Sequence, residues 1–158
     1  MNSSRPRIQY CRAYTLAEMA IVLAIFGLLF GMIHPVYLHY VDEAKSKDVV
    51  TQIKELEKEI DDFYKDKGYY PDSLDEIISP PPLDPWGNPI QYLKIKDAPS
   101  KSKGKIRKDK NLVPINSDYD LYSSGPDGQS VPPLTANASK DDIVRGRNGD
   151  FVGTAIDY

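Results

Sequence analysis

The spacing of apolar positions divides this chain into three stretches. Residues 19–33 are apolar or glycine without exception, and extending the segment back to Tyr14 gives 20 residues, about 30 Å as a helix and enough to cross a bilayer. A single acid, Glu18, stands near its start. A carboxylate well inside hydrocarbon costs about 2.5–3.5 kcal/mol on insertion scales, so Glu18 is expected to lie at the interface or to meet a positive charge. Beyond Pro35 the pattern thins to Val41 and then to Val49, Ile53, Leu56, Ile60 and Phe63, the last five spaced 4, 3, 4 and 3. That spacing is one stripe of an amphipathic helix. Charges occupy its other faces, and Glu43 precedes Lys47 by one turn in the favourable order. The helix is predicted to end near Lys67, with Gly68 as the residue after the cap. Pro35 removes a backbone hydrogen bond and crowds the preceding turn, which predicts a kink. Gly27 and Gly31, four apart, suit close helix approach and lipid-facing positions equally.

The third stretch consists of short elements between turn signals. Residues 73–78 read as a short helix capped by Asp72 and ended by Pro80, Pro81 and Pro82. After the turn Asp84-Pro85-Trp86-Gly87-Asn88-Pro89, alternation at Ile90, Tyr92 and Lys94 predicts a strand with one buried face. Residues 119–123 read as another, and 106–115 as a third. A small antiparallel sheet packed on the long helix makes an α+β domain. The predicted organisation is a leader at 1–13, a membrane helix at 14–34, its continuation outside the membrane at 35–67 and a head at 68–158.

Charge orients this arrangement. Arg5, Arg7 and Arg12 precede the apolar run with no acid among them, while the flank after it reaches Asp42 and Glu43 before any Lys or Arg, so the amino terminus stays cytoplasmic. The whole chain carries 20 basic and 23 acidic side chains, which does not suggest nucleic-acid binding. A secretory signal peptide lacks support, because no small-residue cleavage pattern follows the apolar run. A lipoprotein is set aside because Cys11, the only cysteine, comes before that run. A plain single-pass anchor leaves Glu18 and its Thr15-Leu16 context unexplained.

A basic leader, the small residue Ala13, the aromatic Tyr14, then Thr15-Leu16-Ala17-Glu18 and an apolar run together resemble the class III signal of type IV pilins and type II secretion pseudopilins. Ala13 stands where the family usually has Gly, and Tyr14 where it has Phe. The resemblance implies that a prepilin peptidase cuts between Ala13 and Tyr14 and methylates the Tyr14 amine. It also implies that Glu18 pairs with the amino terminus of a neighbouring subunit during filament assembly. Pro35 matches a proline common in that family. Loss of the leader would remove Cys11 and three arginines, leaving a thiol-free chain with 17 basic against 23 acidic side chains, a charge of −6.

Four later motifs narrow the resemblance to the major pseudopilins of type II secretion. They are Gly68-Tyr69-Tyr70-Pro71, the turn at residues 84–89, Asp120-Leu121-Tyr122-Ser123-Ser124-Gly125-Pro126-Asp127-Gly128, and Asp141-Asp142-Ile143. By resemblance the acidic loop would bind calcium, which takes six to eight oxygen ligands. Asp127, Asp141 and Asp142 would be side-chain ligands, with Ser124 and Arg145 as carbonyl donors. The loop is not an EF-hand, and a solvated acidic turn without metal is the other reading. Its stretch at 129–140, with Pro132 and Pro133 inside it, is longer than the family leads one to expect.

The basic residues Lys101, Lys103, Lys105, Arg107, Lys108 and Lys110 read as the solvent face of a hairpin, with no aromatic platform for bases. Nucleic acid is therefore an unexpected partner. The two histidines, His34 and His39, lie at the membrane boundary, and no catalytic constellation is present. What the resemblance implies is a non-enzymatic subunit held in the inner membrane with its head in the periplasm of a Gram-negative bacterium. It would polymerise with copies of itself, minor pseudopilins and an assembly platform. A type IV pilin or minor pilin for adhesion, motility or DNA uptake shares the amino-terminal machinery and is the competing reading.

Overall fold

A computed structural model describes residues 14–97, 104–110 and 112–158, the side chains of 34–36 excepted. Ala13, the leader arginines, Cys11, Lys101 and Lys103 lie outside the described residues. The first element, α1, runs Leu16–Lys67. Contacts divide the chain between Tyr40 and Val41 into two compact units.

In the first unit, apolar side chains between Leu16 and Ile33 are exposed, among them Leu16 at 88% and Phe30 at 75%. The helix is long and apolar enough to cross a membrane by length and composition. The helix continues through Pro35.

In the second unit the predicted stripe becomes a core. Val49, Ile53, Leu56 and Ile60 pack with Leu74, Ile90, Tyr119, Leu121 and Ile143. Full burial of one such aliphatic side chain contributes about 1.5–3 kcal/mol, so this one face of α1 organises the unit. Glu43 and Lys47 pair at 2.8 Å along the exposed side. The helix ends at Lys67, where Gly68 adopts φ +80° and its N–H reaches the Tyr64 carbonyl at 2.8 Å.

Four strands form one antiparallel sheet in chain order: β1 (Gln91–Lys94), β2 (Tyr119–Ser123), β3 (Ile143–Gly146) and β4 (Phe151–Thr154). Tyr92 stands opposite Leu121, Tyr122 opposite Val144, and Arg145 opposite Val152. Successive strand residues point to opposite faces. Tyr119, Leu121 and Ile143 therefore face the helix, whereas Tyr122 and Val144 face a second cluster with Ile115, Leu134 and Ala155. Loops supply the second covering layer.

Three expectations are corrected. The helix at 73–78 is a 3₁₀ turn, Leu74–Glu76, whose N-cap is Ser73 without a side-chain cap bond. Asp72 does not cap it, because its carboxylate is taken by Lys94 at 2.9 Å. Among the described residues of 106–115 no strand forms: apart from a bridge between Lys108 and Pro133, Asp109 and Leu112 exchange backbone bonds and Ile115 N–H returns to the Arg107 carbonyl. The remaining strands come from β3 and β4, joined by Arg147, Asn148 and Gly149, all at positive φ. Asn-Gly between two short apolar runs is a strong hairpin signal.

Candidate functional site

The start of α1 is built by Thr15 and Glu18. Thr15 Oγ1 accepts the Glu18 N–H at 3.2 Å, while Glu18 Oε2 accepts the Thr15 N–H at 2.8 Å and its hydroxyl at 3.0 Å. This is a reciprocal capping box, Thr-x-x-Glu, which satisfies donors that a helix start otherwise leaves open. The same carboxylate sits at the positive end of the helix dipole. Tyr14, immediately before it, is 82% exposed. The spacing of Thr15 and Glu18 carries this signal in the sequence.

The head motifs lock to one another. Asp84 Oδ1 accepts the N–H groups of Trp86 and Asn88, and Asp84 Oδ2 accepts the Ser123 hydroxyl at 2.6 Å. Asn88 Nδ2 reaches the Gly125 carbonyl at 2.9 Å, and Gly125 N–H reaches Ser123 Oγ at 3.1 Å. The turn at 84–89 thereby holds the end of β2 and the first residues of the acidic loop. Gly125 sits at φ +63°, and a Cβ there would lie 2.5 Å from the Asp141 carbonyl oxygen. Gly125→Ala is therefore expected to cost about 1–3 kcal/mol, read as a lower urea midpoint; an unchanged midpoint would show that the loop can move aside.

The five residues assigned to calcium are adjacent in part only. Asp127 N–H points to Asp141 Oδ2 at 3.4 Å, and Asp127 Oδ1 accepts the Gln129 N–H at 2.7 Å. Ser124 is buried. Asp142 turns into the head, where Oδ2 is shared by the Arg107 guanidinium and by the Ser130 hydroxyl at 2.6 Å. Arg145 lies in β3 and its carbonyl accepts Asn116 Nδ2 at 2.9 Å. Among the described residues, no three His, Cys, Asp or Glu side chains are gathered where they could hold a metal ion. As arranged, this donor set does not fit a calcium ion.

Two buried cations dominate the interior. Arg107, 2% exposed, binds Asp142 and the Val131 carbonyl, and its guanidinium lies 3.8 Å from the Tyr122 ring centroid. This corrects the reading of residues 101–110 as one solvated face. Arg145 binds Glu57 on α1 at 2.8 Å, binds Asp118 through both terminal nitrogens at 2.9 and 2.8 Å, and stacks 4.0 Å from the Tyr119 ring centroid. Burial opposes the Arg145 charge, but Asp118, Tyr119 and Glu57 outweigh it and raise its pKa. Burial raises the Asp142 carboxyl against the pull of Ser130 and Arg107, and raises Asp120 against bonds from the Arg107 N–H and Asn116. Lone charges in a run of lysines or beside a strand gave no sequence signal for either site.

Comparison with known proteins places these features. The type II secretion system core protein G of Escherichia coli K12 is 31% identical over 128 residues, covering 75% of this chain and 83% of that protein. The chain belongs to the type II secretion core protein G family. The core protein G of Pseudomonas aeruginosa is 29% identical over 73% of this chain and 84% of its own length. That of Klebsiella pneumoniae is 28% identical over 86% and 94%. No protein-family model matches the chain, and no solved structure matches at a significant level. In this chain the motif residues Asp84, Asn88, Ser123 and Gly125 serve as mutual ties.

Proposed function

We propose that the chain is the structural subunit of a type II secretion pseudopilus, polymerising from the inner membrane to help export folded proteins. The observation that carries this reading is a membrane-length apolar helix, exposed throughout, with one carboxylate at its first turn in a member of the core protein G family. An unpartnered apolar surface of this length needs lipid before assembly or other subunits after it. A prepilin peptidase cuts between Ala13 and Tyr14, and the Tyr14 amine is methylated. Glu18 then exchanges its own helix cap for the amino terminus of a neighbouring subunit, which sets the register of assembly. Pro35 provides a kink.

The amino terminus begins in the cytoplasm and the head lies in the periplasm, as the leader arginines favour. The partners are further copies of the chain, minor pseudopilins and the membrane platform that drives assembly. The role is mechanical and not catalytic. Deleting the gene in its host and measuring secreted proteins alongside surface pili tests this directly. Lost secretion with normal pili is expected; lost pili, motility or DNA uptake with normal secretion would make the protein a pilin instead.

A further inference from the structure

We propose that the acidic loop of this head is closed by an internal cation, the Arg107 guanidinium, in place of a bound metal ion, so that the head holds its fold without calcium. The geometry rests on three connections made by one residue. The Arg107 backbone N–H donates to Asp120 Oδ2 at 2.8 Å and so fixes this residue to β2. Its guanidinium reaches across to Asp142, at the entry to β3, and to the Val131 carbonyl within the loop. Its planar face lies over Tyr122, an arrangement that suits a weakly hydrated guanidinium. One cation therefore joins β2, the loop at 129–140 and the start of β3, which is the work a metal staple would do.

The surrounding groups favour this occupant. Arg107 and Asp142 are 2% and 0% exposed as side chains, so the carboxylate is neutralised before any solvent ion can reach it. A divalent cation on Asp142 would have to stand against the guanidinium without water between them, where like charges repel strongly. Arg107 Nε and Asp142 Oδ1 are buried without a hydrogen-bond partner. They are a donor and an acceptor on the same ion pair, whose hydrogen bond runs from the terminal nitrogen Nη2 to Asp142 Oδ2. Asp127 and Asp141, meanwhile, engage backbone N–H groups at the solvent side. Ser130 and Ser139 complete the lining: Ser130 donates to Asp142, and Ser139 accepts from Val131 N–H at 2.9 Å and donates to its carbonyl at 2.8 Å.

The test uses the full chain in detergent micelles, with fluorescence of Trp86, the single tryptophan, reporting thermal unfolding of the head. The wild-type midpoint is expected to be the same in excess EGTA and in millimolar calcium chloride. Arg107→Met is expected to lower it by on the order of 10 °C, because removing one member of a buried pair strands the other. Asp142→Asn in the Arg107→Met background is expected to recover part of that loss, since it removes the stranded charge. A wild-type midpoint that falls in EGTA would overturn the proposal, as would Arg107→Met unfolding at the wild-type temperature or a double variant showing no recovery. If Arg107→Met does not fold, the wild-type comparison in EGTA and calcium still decides the question. These outcomes are independent of whether the filament serves secretion.

Discussion

Glu18→Ala is expected to leave membrane insertion and leader cleavage intact while abolishing filament assembly. Two roles for this carboxylate lead to that result, and a second variant separates them. In the single subunit Glu18 caps its own helix through Thr15, and Gln at the same position supports a capping box equally well. If the carboxylate's charge is what meets the amine of an incoming subunit, Glu18→Gln keeps the cap and still fails to assemble. Cross-linking or negative-stain microscopy of sheared filaments reads the difference. Normal filaments from Glu18→Gln would reduce this residue to a helix cap and remove the electrostatic pairing from the mechanism. The energetic scale is adequate: a cap is worth about 0.5–2 kcal/mol, and a charged group in hydrocarbon costs about 2.5–3.5 kcal/mol.

Arg145→Ala is expected to destabilise the head by about 3–5 kcal/mol, the range for breaking a buried ion pair by removing one member. The side chain is 2% exposed, and its partners Glu57 and Asp118 are 19% and 14% exposed. Its loss leaves two half-buried acids facing each other beside Tyr119, with nothing to neutralise them. Since Glu57 belongs to α1 and Arg145 to β3, the variant also loosens the sheet from the helix. Urea unfolding followed by Trp86 fluorescence measures the effect. Arg145→Lys should fall between the two, because an ammonium cannot span Glu57 and both Asp118 oxygens. A loss below about 1 kcal/mol for the alanine variant would show that water takes over the site, as at exposed ion pairs.

Legibility in the sequence followed locality. The stripe at Val49, Ile53, Leu56 and Ile60 was readable because an α-helix converts a fixed spacing into a face without help from the rest of the chain. Strand β2 was readable for a similar reason, as a compact run bounded by turn signals. The 106–115 segment misled because alternating basic residues around Ile106 imitate a strand's two faces. What governs it instead is Arg107, whose side chain and backbone are committed to Asp142 and Asp120, partners 35 and 13 positions away in the chain. The ties from Asp84 to Ser123 and from Arg145 to Glu57 span 39 and 88 positions. No local pattern encodes them.

By itself, the amino-acid sequence determined that this protein has one membrane-length helix with an acid at its first turn, an amphipathic continuation and an α+β head, because periodicity and capping act within a few residues. Its motifs also pointed to the right family. Only the tertiary structure decided which charges are buried. The same Arg that reads as solvated in a lysine-rich run is enclosed once β2 and the loop close over it, and the Asp that reads as a metal ligand turns inward to meet it. Burial and pairing depend on which segments the fold brings within 3 Å of one another, and sequence separation carries no record of that distance.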